Sequence, residues 1–170
     1  MKHNTLFLDG LDGLSHQSQS YYLQMADIYS DFLYLNSKAD ELKIFAKYIT
    51  ATRGWTKECC YVVGNMYSLL HQHELSILWL KRALIIDPNY ESALIVLGNE
   101  YINLKAPTDA ISAYSAAIST SWFHFLFNSI IYIELNPLNY RSFFSLGLVY
   151  YLLDDLDRAI YFLKIAAKLE

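Results

Sequence analysis

His71 and His73 lie two residues apart, Cys59 and Cys60 are adjacent, and Asp154, Asp155 and Asp157 crowd one short stretch. Each set has side chains able to hold a metal or move a proton, but none has the required spacing. A zinc site needs four nitrogen or sulfur ligands, and its cysteines are separated by two to four residues. Here the histidines have only Glu74 nearby, and the cysteines have no spacer. A calcium loop needs a central glycine and a closing glutamate, which the aspartate cluster lacks. No glycine-rich phosphate loop, G-x-S-x-G elbow or H-E-x-x-H pair occurs. The sequence therefore predicts no catalytic residues, no metal and no cofactor. The histidines read as turn residues, the aspartates as turn and helix-start acids, and the cysteines as buried and inert. What remains is hydrogen-bonding chemistry. Asn65 and Asn99 each carry an amide that both donates and accepts. Such a pair can hold a peptide backbone, or can bond one structural unit to the next.

Composition limits the partners. Thirteen Lys and Arg against seventeen Asp and Glu give a net charge of -4, with no basic block. Nucleic-acid binding thus has no electrostatic footprint. Apolar residues make up 54% of the 170, and fifteen are tyrosines. That suffices for a sizeable core, with tyrosine tips left at a surface. Two adjacent cysteines form no disulfide framework, which predicts a reducing intracellular compartment, the nucleus or cytoplasm. No secretory signal is visible, and no membrane partner is expected.

The elements that position these residues repeat. Gly64 recurs 34 positions on as Gly98, and the same step takes Tyr67 to Tyr101, Leu80 to Tyr114 and Ala83 to Ala117. Pro88 closes a unit, because the residue before a proline is biased out of helix. The glycines leave room for a neighbouring helix, the tyrosines fill the space within a helix pair, and the alanines keep the pairs close. This period is the signature of the tetratricopeptide repeat, or TPR. The fold class expected is all-α: antiparallel helix pairs in a right-handed solenoid.

In chain order, residues 1–22 read as an N-terminal arm with two Asp-Gly turns. Residues 23–56 form a degenerate helix pair, with Ser30 where glycine is expected and Gly54 where proline is expected. Residues 57–90 are a full repeat. Residues 91–139 are a second, its second helix entered through Pro107 with Thr108 as the cap. Residues 140–170 are a third that stops after its second helix, so the chain end is expected to present an apolar surface. The second repeat overruns the period by the length of the segment 119–133. Removing that segment brings Pro137 into the position of Pro88 and restores the glycine spacing. The excess carries no charge but has Trp122, Phe123, Phe125 and Phe127, a candidate apolar interface. It is shorter than the roughly 20 residues a membrane helix needs. It reads as a helical extension or as a short intron translated into protein.

First-helix positions 2, 5, 9, 12 and 13 of such repeats line a concave groove. They give a candidate peptide-binding set: Tyr61, Asn65 and Ser68, then Asn99, Ile102 and Asn103, then Arg141 and Phe144.

Beyond generic repeats, several runs are more specific. These are Cys59-Cys60, Gly64-Asn65, Tyr67-Ser68-Leu69, His73-Glu74, Arg82-Ala83-Leu84, Pro88-Asn89-Tyr90, Gly98, Glu100-Tyr101 and Ala110-Ile111 through Tyr114. Together they resemble the central region of the cell-division-cycle protein 23 family, TPR subunit 8 of the anaphase-promoting complex or cyclosome. Asn99 stands where that family has histidine. The resemblance runs over about residues 21–118, and from 134 onward only as generic repeat. It implies a non-catalytic scaffold in a ubiquitin ligase, whose partners are other cyclosome subunits and a co-activator. It also implies homodimerisation through N-terminal repeats, which are largely absent here. The alternative is a free adaptor of the TPR co-chaperone kind, which grips a terminal carboxylate with cationic donors. The corresponding positions hold Tyr61, Asn65, Val96, Arg141 and Ser145, two partial matches of five.

Overall fold

The computed structural model describes residues 16–127 and 138–169, and every regular element among them is an α-helix. In chain order they are α1 His16–Leu35, α2 Ala39–Arg53, α3 Lys57–Leu69, α4 His73–Ile86, α5 Glu91–Asn103, α6 Pro107–Phe127, α7 Leu138–Leu152 and α8 Leu156–Leu169. They form two compact units, residues 1–79 and 80–170, and the boundary falls inside α4.

Four turns share one geometry. Ser37, His71, Lys105 and Asp154 take positive φ, from 54° to 61°. At the second of these, the Gln72 N–H donates to the Tyr67 carbonyl and the His71 N–H to that of Ser68, each at 2.9 Å. That is a Schellman closure, which satisfies the orphaned carbonyls at the end of a helix. Lys38 to Leu33, Ala106 to Tyr101 and Asp155 to Tyr150 repeat it at 2.8 to 2.9 Å. Ser37, His71 and Lys105 recur every 34 positions, and Asp154 comes 49 after Lys105. The α1–α2 turn therefore keeps the period even where Ser30 and Gly54 have replaced the signature residues. None of the four is glycine, although a side chain in this region costs about 1–2 kcal/mol. Lys105→Gly removes that cost at an exposed position and loosens the unfolded chain somewhat. It is expected to raise stability by about 1 kcal/mol in chemical denaturation.

Helix starts are equally local. Thr56 caps α3, its Oγ1 accepting from the Cys59 N–H at 3.2 Å. Helix α6 begins one residue before the expected cap. The Ala106 carbonyl accepts from the Ala110 N–H at 3.1 Å, so Pro107 is the first helical residue and Thr108 already lies inside. Proline fits there because its missing N–H would have had no partner.

The first unit packs Ala26 and Leu33 of α1, Leu42, Phe45, Ala46 and Ile49 of α2, and Cys59, Val62 and Val63 of α3 into one core. In the second unit, Ala110 and Tyr114 of α6 meet Leu146 and Val149 of α7, flanked by Tyr101, Ile111 and Ile118. Ala117 packs on Leu94 and Ile95 of α5. Two glycines are forced by close approach. A Cβ on Gly98 would sit 2.6 Å from Cζ of the buried Tyr114 ring, and one on Gly147 would sit 2.7 Å from Cγ of Leu163.

Helix α6 runs for 21 residues against 13 in α5. The first nine residues of the 119–133 segment thus continue the helix, adding about 13 Å of axis. Ser112, Ser119 and Thr120 turn their hydroxyls onto carbonyls four residues back, at 2.9 to 3.1 Å, which accommodates them inside a helix. The N-terminal arm to residue 15, residues 128–137 with Pro137, and the side chains of Trp122, Phe123, Phe125 and Phe127 lie outside the described residues.

Candidate functional site

The eight groove candidates separate into two groups. In the first unit, Tyr61, Asn65 and Ser68 sit on one face of α3 and are all buried, at 1%, 2% and 3% exposure. Their polar atoms are taken up by α1. The Tyr61 hydroxyl donates to Asp31 Oδ1 at 2.7 Å. Asn65 Nδ2 donates to the same oxygen and to Ser30 Oγ, both at 3.0 Å. The Ser68 hydroxyl donates to the Tyr34 hydroxyl at 3.1 Å. This is a polar seam between successive first helices, not an open groove. A buried donor that lacks a partner costs more than the bond itself returns, so these contacts specify how α1 and α3 align. Burial, then the Asp31 charge, pushes the Tyr61 phenol well above its ordinary pKa.

The sequence reading places these three side chains in the groove, and it misses Ser30, Asp31 and Tyr34. A signal was present. Asp31 and Tyr34 lie 34 residues before Asn65 and Ser68, so the repeat sets polar residues opposite polar residues at two matching positions.

The second unit leaves its candidates exposed. Asn99 and Asn103 lie at the surface of α5 with Ile102 half-buried between them, and Arg141 and Phe144 are exposed on α7. Helices α5 and α7 are in direct contact. Phe144 leads an apolar stripe through Leu148 and Tyr151, exposed by 48%, 42% and 61%. The Asn99 amide is oriented from beneath. Its Oδ1 accepts from the Tyr114 hydroxyl at 2.6 Å. Burial raises the Tyr114 phenol to about 12; a hydrogen bond from Ser145 opposes this and the Glu100 charge adds to it. The phenol thus stays protonated and keeps donating. Asn99 and Asn103 lie beside an aromatic and aliphatic stripe on this face.

The other chemistry-bearing residues lie in α3 and at the turns. Cys59 and Cys60 are free thiols, 0% and 2% exposed. Burial, the neighbouring Cys60 and Glu58 push the Cys59 thiol up from 9.0 to about 12. A raised folded pKa favours the neutral thiol. Its contribution to stability is full below pH 9 and lost as pH climbs from 9 toward 12. Cys59 is expected to resist alkylation in the folded protein at about pH 8 and to react once denaturant is added. The His71 and His73 rings lie 6.0 Å apart across their turn, and no group of three or more metal-ligating side chains occurs among the described residues. Of the aspartate cluster, Asp155 caps α8, its Oδ1 accepting from the Arg158 N–H at 3.1 Å. Its Oδ2 takes the Arg158 guanidinium, which lies 4.9 Å over the Tyr150 ring.

No protein-family model matches the chain. It is 33% identical over 89 residues to anaphase-promoting complex subunit 8 of Arabidopsis thaliana, which covers 52% of this chain and 15% of the relative. To anaphase-promoting complex subunit CDC23 of Saccharomyces cerevisiae it is 31% identical over 91 residues, covering 54% of this chain and 14% of the relative. The chain is thus similar in sequence to cell-division-cycle protein 23 over about half its length, and spans about one seventh of the relatives it matches. The crystal structure of MamA superposes with a TM-score of 0.63 at 19% identity, over 90% of this chain and 81% of that one. The fold is the TPR-type arrangement of helix pairs.

Proposed function

We propose that this protein is a non-catalytic TPR scaffold that works as subunit 8 of the anaphase-promoting complex does, joining other subunits or a co-activator of a ubiquitin ligase. The observation that carries the reading is the sequence similarity to subunit 8, which covers about half of a chain built from helix pairs. The partner-binding surface is the α5–α7 face, where Asn99, Ile102, Asn103, Arg141 and Phe144 lie around the exposed stripe. The apolar residues Trp122, Phe123, Phe125 and Phe127 are a second surface for the same assembly. The protein acts inside the cell in a reducing compartment, the nucleus or cytoplasm, which its two free thiols support. Among the described residues no helix is long and apolar enough to cross a membrane.

The face is tested by tagging the chain, recovering it from cells and quantifying what accompanies it. Phe144→Asp places a charge at the head of the apolar stripe. It is expected to reduce recovery of cyclosome subunits at least tenfold, with helicity and Tm unchanged because the side chain is exposed. Asn99→Ala removes one amide from the exposed face and is expected to reduce recovery less. Equal recovery with all three forms removes this face from the proposal. Recovery of chaperone tails with no ligase subunit favours the co-chaperone adaptor instead.

A further inference from the structure

Helix α4 carries an apolar face that its own fold does not cover. Its inner side is set by Ser76, Leu80 and Ala83, all 0% exposed. On the opposite side Leu75, Leu78 and Ile85 are exposed by 41%, 46% and 80%, with Arg82 exposed between the last two. Leu75, Leu78, Arg82 and Ile85 follow one another at intervals of three, four and three, which is the spacing of a single seam along a helix. The repeat does not require apolar residues there. One period on, α6 has Asp109, Ser112, Ala116 and Ser119 in the same register, all exposed. Among the described residues three helices precede α4 and four follow it, so the face is not a product of either chain end.

The charges on this face are sorted along the helix. Glu74 stands at its start, Lys81 follows seven residues later on the same flank, and Arg82 lies in the seam; all three are exposed. Lys81 leans over the Tyr101 ring of α5, 5.7 Å from its centre, which keeps the ammonium on that flank. A second α4 laid antiparallel on the first brings Leu75 opposite Ile85 of the second copy, and Leu78 opposite the aliphatic stem of its Arg82. The same arrangement sets Glu74 of each copy beside Lys81 and Arg82 of the other. Parallel helices would set acid on acid and base on base.

We propose that the α4 faces of two copies pack antiparallel across a two-fold axis, making a homodimer. Both halves of the contact are one self-complementary surface, so assembly closes at two copies. One helix pair sits at the low end of the roughly 1,200–2,000 Å² that specific interfaces bury, so the dimer is weak and exchanges with monomer. The contact uses none of the residues assigned to the α5–α7 face.

The test uses the purified chain alone, so its outcome does not depend on any ligase subunit. Sedimentation across a concentration series should show the 19.7 kDa monomer passing to twice that mass and no further. Leu78→Asp and Ile85→Asp should each hold the chain as a monomer with helicity retained, because both side chains are exposed. Should either lose helicity, the charges decide. Glu74→Lys alone, and Lys81→Glu with Arg82→Glu, should each raise the dimer Kd about tenfold or more, and mixing the two forms should restore pairing. Orientation is read by oxidative cross-linking: Leu75→Cys and Ile85→Cys chains should join when mixed, and Leu75→Cys alone should not. A monomer at every concentration overturns the proposal, and if that monomer sediments with anionic vesicles the face meets lipid instead. A dimer that both aspartate variants leave intact also overturns it, because another surface then joins the copies. Cross-linking of Leu75→Cys to itself means a parallel pair and contradicts it as well.

Discussion

Gly98→Leu is expected to destabilise the second unit by about 1–3 kcal/mol or more, the range for forcing extra carbons into a packed core. The reason is specific to one contact. The Tyr114 ring crosses Gly98 so closely that a single added carbon would lie 2.6 Å from Cζ and 2.8 Å from Cδ1. The ring has little room to yield, since it is 1% exposed and its hydroxyl is held by Asn99. Helices α5 and α6 must therefore separate, which strips Ala117 from Leu94 and Ile95. Gly98→Ala, otherwise favoured in a helix by about 1 kcal/mol, is expected to destabilise as well. Ser115→Ala, on the exposed side of α6, should stay within about 0.5 kcal/mol. Denaturant titrations of the three variants check this, and an unchanged midpoint for Gly98→Leu would contradict the observed packing.

Asp31→Ala is the second large effect. One carboxylate oxygen accepts from both the Tyr61 hydroxyl and Asn65 Nδ2, and both donors are almost wholly buried. Removing the acceptor leaves Tyr61 without that bond and Asn65 with Ser30. Each unsatisfied buried donor costs about 1–3 kcal/mol. Asp31→Asn keeps an acceptor oxygen in place and should recover part of the loss. Asn65→Ala belongs to the same seam and should also lower stability, whereas Asn99→Ala should change binding more than folding. Equal stability of Asp31→Ala and wild type would show that the seam does not hold α1 to α3.

What could be read from the sequence follows from what a period encodes. Gly98, Ala83 and Ala117 were legible because a close crossing tolerates only the smallest residues, and that demand recurs every 34 positions. The α1–α2 pair was harder to read. Its Ser30 and Gly54 depart from the signature, while the Schellman turn at Ser37 that preserves the period depends on backbone hydrogen bonds. Burial at Tyr61, Asn65 and Ser68 was not legible from the period. The period places these residues on a first helix, but it does not say that Asp31 and Tyr34 on the neighbouring helix will capture their polar tips. On α5 and α7 the corresponding residues Asn99, Asn103, Arg141 and Phe144 stay exposed. The excess in the second repeat was legible as a break in spacing, because Lys105 and Asp154 are 49 apart while the other turns keep 34.

The scaffold reading is tested most directly by fractionating a cell lysate on a density gradient and quantifying this chain and the cyclosome subunits across it. The account predicts that the chain peaks together with those subunits, far above its own 19.7 kDa, and shifts away from them when Phe144→Asp replaces the wild type. A chain that migrates apart from every ligase subunit, free or with chaperones, would contradict it.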